Sequence, residues 1–175
     1  KDIEYYEILE NLMERWEYET VEFKEAKSNY DTDKIGRYFS ALSNEANLKQ
    51  QQYGWLIFGV SERDKIKHVV GTAYKQGEQS LLEKFKYEIS RDITNGMTFY
   101  EIKEIFPIVN GKRLRVLMFK VPAAATGIPT DWRTNYYERS GESLVPLKQY
   151  KIDAIRSQER KDWSKQVIEV ALLII

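Results

Sequence analysis

Apolar residues recur every three to four positions in four stretches of the chain, and this spacing predicts four amphipathic helices. The stretches cover residues 3–16, 35–46, 80–93 and 149–158. Glutamates separate the apolar positions of the first stretch, and the capping residues of 31–33 precede the second. We therefore expect helices that each bury one face.

Polar and apolar residues alternate in 18–25, which predicts a short strand whose polar face carries Glu22 and Lys24. The run YGWLIFGV at 53–60 is continuously apolar, as expected of a central strand that is buried on both faces. Shorter strands are predicted at 66–70 and 135–139.

The dipeptide Asn110-Gly111 lies between two apolar stretches and is typical of a tight β-hairpin turn. Taken in order, the predicted elements alternate between helices and short strands without any internal repeat. This order predicts an α+β fold, in which helices pack on a mixed β-sheet.

The 175 residues are 42% apolar and 31% charged, which predicts a globular chain. No apolar run is long enough to cross a bilayer, and no secretory signal opens the chain. We therefore expect a cytoplasmic protein without a membrane partner. Because the sequence stops inside the apolar run ALLII, we also expect the natural chain to continue.

We predict three segments: an N-terminal amphipathic helix at 1–16, the main domain at 17–158, and the start of a linker or following region at 159–175. Charge is uneven along them. Residues 1–35 carry 5 lysines and arginines against 11 acidic residues, so the rest of this neutral chain carries a net charge of +6. This asymmetry permits a basic face.

The chain has no cysteine and a single histidine, which excludes disulfides and cysteine–zinc sites. Any metal would be a hard ion held by carboxylates. No glycine-rich phosphate loop is present, so we expect no nucleotide hydrolysis within these residues.

A first candidate site is the segment WEYETVEFK, which contains Glu17, Glu19, Glu22 and Lys24. Carboxylates followed by a lysine on one strand face are an arrangement of metal-dependent nucleases, where the acids hold Mg²⁺ or Mn²⁺. The lysine would then steady the attacking water or the developing phosphorane. The alternative is a solvent-facing strand edge with charges of both signs.

A further carboxylate could come from the turn after the apolar strand, where Glu62 and Asp64 are the candidates. The alternative is an ordinary polar turn. This candidate depends on Glu62 lying close to Glu17 and Glu22.

The segment NYYERSGES offers Arg139, Ser140 and a flexible glycine turn, a set that suits phosphate or another anion. The alternative is a turn in which the arginine pairs with a local glutamate. Lys112 and Arg113 beside the predicted hairpin could line a surface that tracks a nucleic-acid backbone. Trp132 and Tyr136 are candidates for base stacking.

Five segments, in order, resemble one family: WEYETVEFKEA, SALSN, YGWLIFGV, IKHVVGT and NYYERSGES. Together they are similar to the Schlafen-type AlbA-like domain, from about residue 17 to about residue 155. The chain departs from the family pattern at Tyr53-Gly54, where the family has paired glycines, and at Ser61, where it frequently has an acidic residue.

The resemblance implies a DNA- or RNA-binding domain of a transcriptional regulator or a RecG-related helicase-like protein. Such proteins continue into an ATP-binding segment, and this part would be non-catalytic and without a cofactor. The alternative implied by the family is a divalent-metal endoribonuclease, with Glu17 and Glu22 as its two glutamates, Glu62 as a weak third acid and a Mg or Mn ion as cofactor. A third hypothesis is docking through the acidic helix at 3–16, with a homo-oligomer as one outcome.

Overall fold

The computed structural model describes residues 2–14, 20–77, 79–158 and 173–174. The helices are α1 (Ile3–Glu14), α2 (Thr32–Leu48), α3 (Gln79–Ser90) and α4 (Gln149–Arg156). The strands are β1 (Val21–Lys24), β2 (Tyr53–Phe58), β3 (Val60–Arg63), β4 (Ile66–Val69), β5 (Glu101–Ile105), β6 (Ile108–Val109), β7 (Lys112–Arg113), β8 (Val116–Pro122), β9 (Tyr137–Ser140) and β10 (Ser143–Pro146).

A four-stranded mixed sheet in the order β1-β2-β8-β5 forms the centre of the described chain. Strand β1 pairs with β2 in parallel, whereas β8 is antiparallel to both β2 and β5. Three two-stranded sheets, β3–β4, β6–β7 and β9–β10, surround it. This arrangement confirms the α+β class predicted from the sequence.

Helices cover both faces of the central sheet, which explains why β2 is continuously apolar. On one face, Leu56 and Phe58 of β2 join a core that includes residues of α2 and α3. On the other face, Trp55 and Ile57 join a smaller core that includes Leu9 of α1. Because successive strand residues point to opposite faces, β2 must be apolar at almost every position.

The predicted helices are confirmed, but the third ends earlier than its apolar stripe suggests. Helix α3 stops at Ser90, and Ile93 is extended, with φ −118° and ψ 145°. Ile93 remains buried because it forms a β-bridge with Trp132. Its apolar character therefore reflects the core and not a continuing helix.

The hairpin around Asn110-Gly111 is confirmed, and both turn residues have positive φ, 51° and 76°. Its ladder is interrupted at Pro107, so β6–β7 forms a separate short ribbon beyond the β5–β8 pair. The strand predicted at 135–139 lies slightly later, at β9. Its hairpin partner β10 is an element that the sequence pattern does not predict.

No helix in the described ranges is both long and apolar enough to cross a membrane. Helix α1 packs on the sheet through its buried residues Leu9 and Leu12. Ile3 and Tyr6 of its predicted apolar stripe remain exposed, at 73% and 37%.

Candidate nucleic-acid interface

Two strands that are far apart in sequence bring an acidic and a basic residue together at the edge of the central sheet. Arg139 of β9 donates through Nη1 to Glu22 Oε2 and to the Val21 carbonyl, the latter at 2.8 Å. Lys24 of β1 places its Nζ 3.2 Å from Glu22 Oε1. Each oxygen of the Glu22 carboxylate therefore faces a cation.

The Lys24 ammonium also lies 5.4 Å from the centre of the Tyr38 ring. Burial alone would lower the pKa of Lys24, but attraction by Glu22 and the hydrogen bond with Tyr38 outweigh it and raise that pKa. Burial also raises the pKa of the neighbouring Tyr30 to about 12. Lys24 is therefore charged, and Tyr30 neutral, across the physiological pH range.

A buried polar network on α2 holds β9 in place. The Ser40 hydroxyl donates to the Thr130 carbonyl at 2.7 Å and accepts from the Tyr137 amide at 3.1 Å. Asn44 accepts from the Thr130 amide at 2.7 Å and donates to its carbonyl at 2.9 Å. Since β9 begins at Tyr137, these bonds set where Arg139 meets Glu22.

The ionic cluster is partly open to solvent. The side-chain exposure is 13% for Glu22, 15% for Arg139 and 29% for Lys24. Ser140 and Gly141, which follow Arg139, are exposed, and a Cβ built on Gly141 would meet nothing within 4 Å. Among the described residues, the cluster has two positive charges and one negative charge, beside a turn with open space around it.

The metal-site hypothesis finds no complete ligand set in the described residues. Glu17 and Glu19 lie outside them. Glu62 is exposed on β3 and lines a groove with Glu10 and Glu14 of α1, a groove to which Glu22 does not contribute. In the described ranges no group of three or more His, Cys, Asp or Glu side chains could hold a metal ion. Because Glu17 and Glu19 belong to the hypothesis, the metal site stays a prediction.

The other predicted contact residues lie elsewhere. Lys112 and Arg113 are exposed on β7. Trp132, a predicted stacking residue, is only 1% exposed, so that prediction is wrong. It packs over Gly36 and donates through Nε1 to Asp33 at 2.9 Å. Tyr136 is half-buried and stays a candidate for stacking.

Sequence reasoning misses two parts of this site. Nothing in the sequence singles out Tyr38, although its hydroxyl supports Lys24. The buried network is also missed, although polar residues inside the apolar helix stripe SALSN could have indicated it. A serine and an asparagine that are fully buried in a helix need partners, because an unpaired polar group is costly to bury.

Residues 17–148 match the family model described as "Schlafen, AlbA_2". The chain belongs to this family. Membership of the Schlafen AlbA_2 family supports a nucleic-acid-related domain. A comparison with curated proteins gave no significant match.

Among solved structures, the fold is similar to that of the DIP2311 protein from Corynebacterium diphtheriae, with a TM-score of 0.51 and 19% sequence identity. The similarity covers 79% of this chain but only 24% of that chain. At 19% identity, this similarity shows that the two chains share a fold and nothing more.

Proposed function

We propose that this Schlafen AlbA_2 chain binds DNA or RNA through phosphate contacts at the cluster of Arg139, Lys24 and Glu22. The observation that carries the proposal is the fixed position of two cations beside an exposed, glycine-containing turn. Phosphate is the nucleic-acid group that such cations recognise without regard to base sequence.

Glu22 orders the two cations, and within the described residues these three side chains carry a net positive charge. An arginine has five N–H donors and a lysine ammonium has three, so both can contact a phosphate while they remain bonded to the carboxylate. Because the side chains are already held, less conformational entropy is lost on binding. The Ser140 hydroxyl and the Gly141 amide would add neutral donors.

A non-catalytic role fits these contacts better than the nuclease alternative. Both oxygens of Glu22 already face cations, and a metal ion would have to displace them or share the carboxylate with them. The cytoplasmic nucleic-acid-contacting module of a transcriptional regulator or a RecG-related helicase-like protein is the setting we propose. Family membership supports the nucleic-acid-related part of this proposal. ATP binding would belong to another part of the natural protein.

The test measures binding of labelled transfer RNA, single-stranded DNA and duplex DNA as a function of salt, with Mn²⁺ or with EDTA. We expect retention without cleavage in both conditions. Arg139→Gln and Lys24→Gln should each weaken binding and reduce the slope of log affinity against log salt by about 0.7 to 0.9. Lys84→Gln, which removes an exposed lysine from α3, is the matched control.

Equal losses in Lys84→Gln and Arg139→Gln would show that the cluster is not the site. Absence of binding to all three nucleic acids would contradict the proposed function. Mn²⁺-dependent RNA cleavage that Glu22→Gln abolishes would establish the nuclease alternative instead.

A further inference from the structure

The ribbon β6–β7 lies beyond the end of the β5–β8 pair of the central sheet. We call this ribbon, together with its Asn110-Gly111 turn, the arm. It forms a two-stranded sheet of its own, which the bond from the Leu114 amide to the Pro107 carbonyl, 2.9 Å, extends by one pair. Each strand has three residues between that bond and the turn, so the arm reaches about 10 Å. A Cβ built on Gly111 would meet nothing within 4 Å, so the tip is open.

The arm has an exposed apolar side chain and two basic ones. Ile108 is 73% exposed and lies opposite Arg113 in the ladder, so the two share one face. Lys112 pairs with Val109 and points to the other face. In the described part of the chain, neither basic residue is in an ion pair, in contrast to Arg139 and Lys24.

Arg113 is positioned by an aromatic ring and not by a carboxylate. Its guanidinium carbon lies 4.3 Å from the centre of the Phe106 ring. This contact limits its rotamers while leaving its positive charge uncompensated. The arm therefore presents two exposed basic side chains, one of them held by a ring contact, and an exposed isoleucine.

We propose that the arm enters the major groove of duplex DNA, with Lys112 and Arg113 on phosphates or base edges and Ile108 against the bases. The major groove of B-form DNA is about 12 Å wide and about 8.5 Å deep, and it admits a two-stranded ribbon. The arm is longer than this depth. The major groove of duplex RNA is too deep and narrow for side chains to read, so the arm selects DNA over RNA among duplexes.

This inference rests on the proposed function, and one set of titrations tests both. The probes are a short duplex DNA and a duplex RNA of the same sequence, and the variants are made in the 175-residue chain. The double variant Lys112→Gln/Arg113→Gln removes the charges of the arm. Lys84→Gln/Arg91→Gln, which removes two exposed charges from and beside α3, is the matched control.

We expect the wild-type chain to bind duplex DNA more tightly than duplex RNA. The arm variant should lose this preference and reduce the salt slope on duplex DNA by about 1.8, since each phosphate contact contributes about 0.9. The control variant should keep the preference for duplex DNA and the wild-type salt slope. Ile108→Thr keeps a β-branched side chain and should weaken duplex-DNA binding about fourfold without changing the slope.

If the wild-type chain binds both duplexes and the arm variant binds them equally well, the arm does not enter the major groove. The proposed function would remain intact. Equal losses of duplex-DNA affinity in the arm variant and the control would also contradict the role of the arm, because net charge alone would then explain both losses. If the wild-type chain binds neither the duplexes nor the single-stranded probes, both proposals fail.

Discussion

Arg139 and Glu22 form an ion pair across 117 positions of sequence, and this pair joins the β9–β10 hairpin to the edge of the central sheet. Both side chains are largely buried, at 15% and 13% exposure. Arg139 also bonds to the Val21 carbonyl, so the pair fixes backbone as well as side chains. Removing the carboxylate therefore affects both stability and ligand binding, in opposite directions.

We predict that Glu22→Gln lowers the free energy of unfolding by about 2 kcal/mol, the usual contribution of hydrogen bonds to charged groups. Binding of nucleic acid at low salt should tighten, because the cluster gains one unit of net positive charge. Urea unfolding and a titration on the same samples measure the two effects. The exposed acid Glu83 provides the control Glu83→Gln, which should leave both unchanged. Weaker binding by a folded Glu22→Gln chain would contradict this prediction and show that the ordering of Arg139 and Lys24 by the carboxylate outweighs its charge.

Gly36 of α2 is required by the ring of Trp132. A Cβ built on Gly36 would lie 2.0 Å from Trp132 Cδ2, and the ring is only 1% exposed, so it has no free space into which to move. We predict that Gly36→Ala destabilises the fold by about 3 kcal/mol or more, as expected of severe overpacking. Thermal and urea unfolding would measure this. Lys34→Ala, an exposed change on the same helix, should stay within about 0.5 kcal/mol of wild type.

Periodicity predicts the elements that bury one face or both faces completely. Helix α2 and strand β2 are such elements, and their predicted positions are confirmed. It fails where tertiary contacts decide the conformation. Ile93 continues the stripe of α3 but is held in an extended conformation by its bridge to Trp132. Strand β10 is a four-residue segment ending in Pro146, and only its pairing with β9 makes it a strand.

Only the part of the candidate site that lies within one strand can be predicted from the sequence. Alternation along β1 correctly places Glu22 and Lys24 on one face, because the side chains of a strand alternate. For Arg139, the sequence allows both an anion site and a local ion pair. The arginine does pair with a glutamate, but a distant one. No spacing rule could predict this, since it depends on the buried bonds that hold β9 against α2.

The buried network on α2 allows a test of whether the position of Arg139 depends on it. Asn44 is completely buried and makes two hydrogen bonds with the Thr130 backbone. We predict that Asn44→Ala lowers the free energy of unfolding by about 3 kcal/mol, because the buried Thr130 amide loses its acceptor. Binding of nucleic acid should weaken too, since Asn44 also donates to the Ser40 hydroxyl at 3.4 Å, and that hydroxyl holds the Tyr137 amide of β9.

Ser90→Ala is the control for this change, because the Ser90 hydroxyl makes a single exposed hydrogen bond to Tyr87. Urea unfolding should show little change for it. Full binding by a destabilised but folded Asn44→Ala chain would show that the position of Arg139 does not depend on this network.

Tyr5 of α1 donates its hydroxyl proton to Glu101 of β5, and this hydrogen bond, followed by burial, raises the pKa of Tyr5 to about 12. The unfolded chain loses this proton near pH 10. Stability from the bond is therefore complete below pH 10 and declines as pH rises toward 12. We predict that urea unfolding at pH 9 and pH 11 shows a smaller decline in Tyr5→Phe than in wild type. Tyr87→Phe, at a site 73% exposed, should decline as wild type does, and an equal decline in Tyr5→Phe would contradict the assignment.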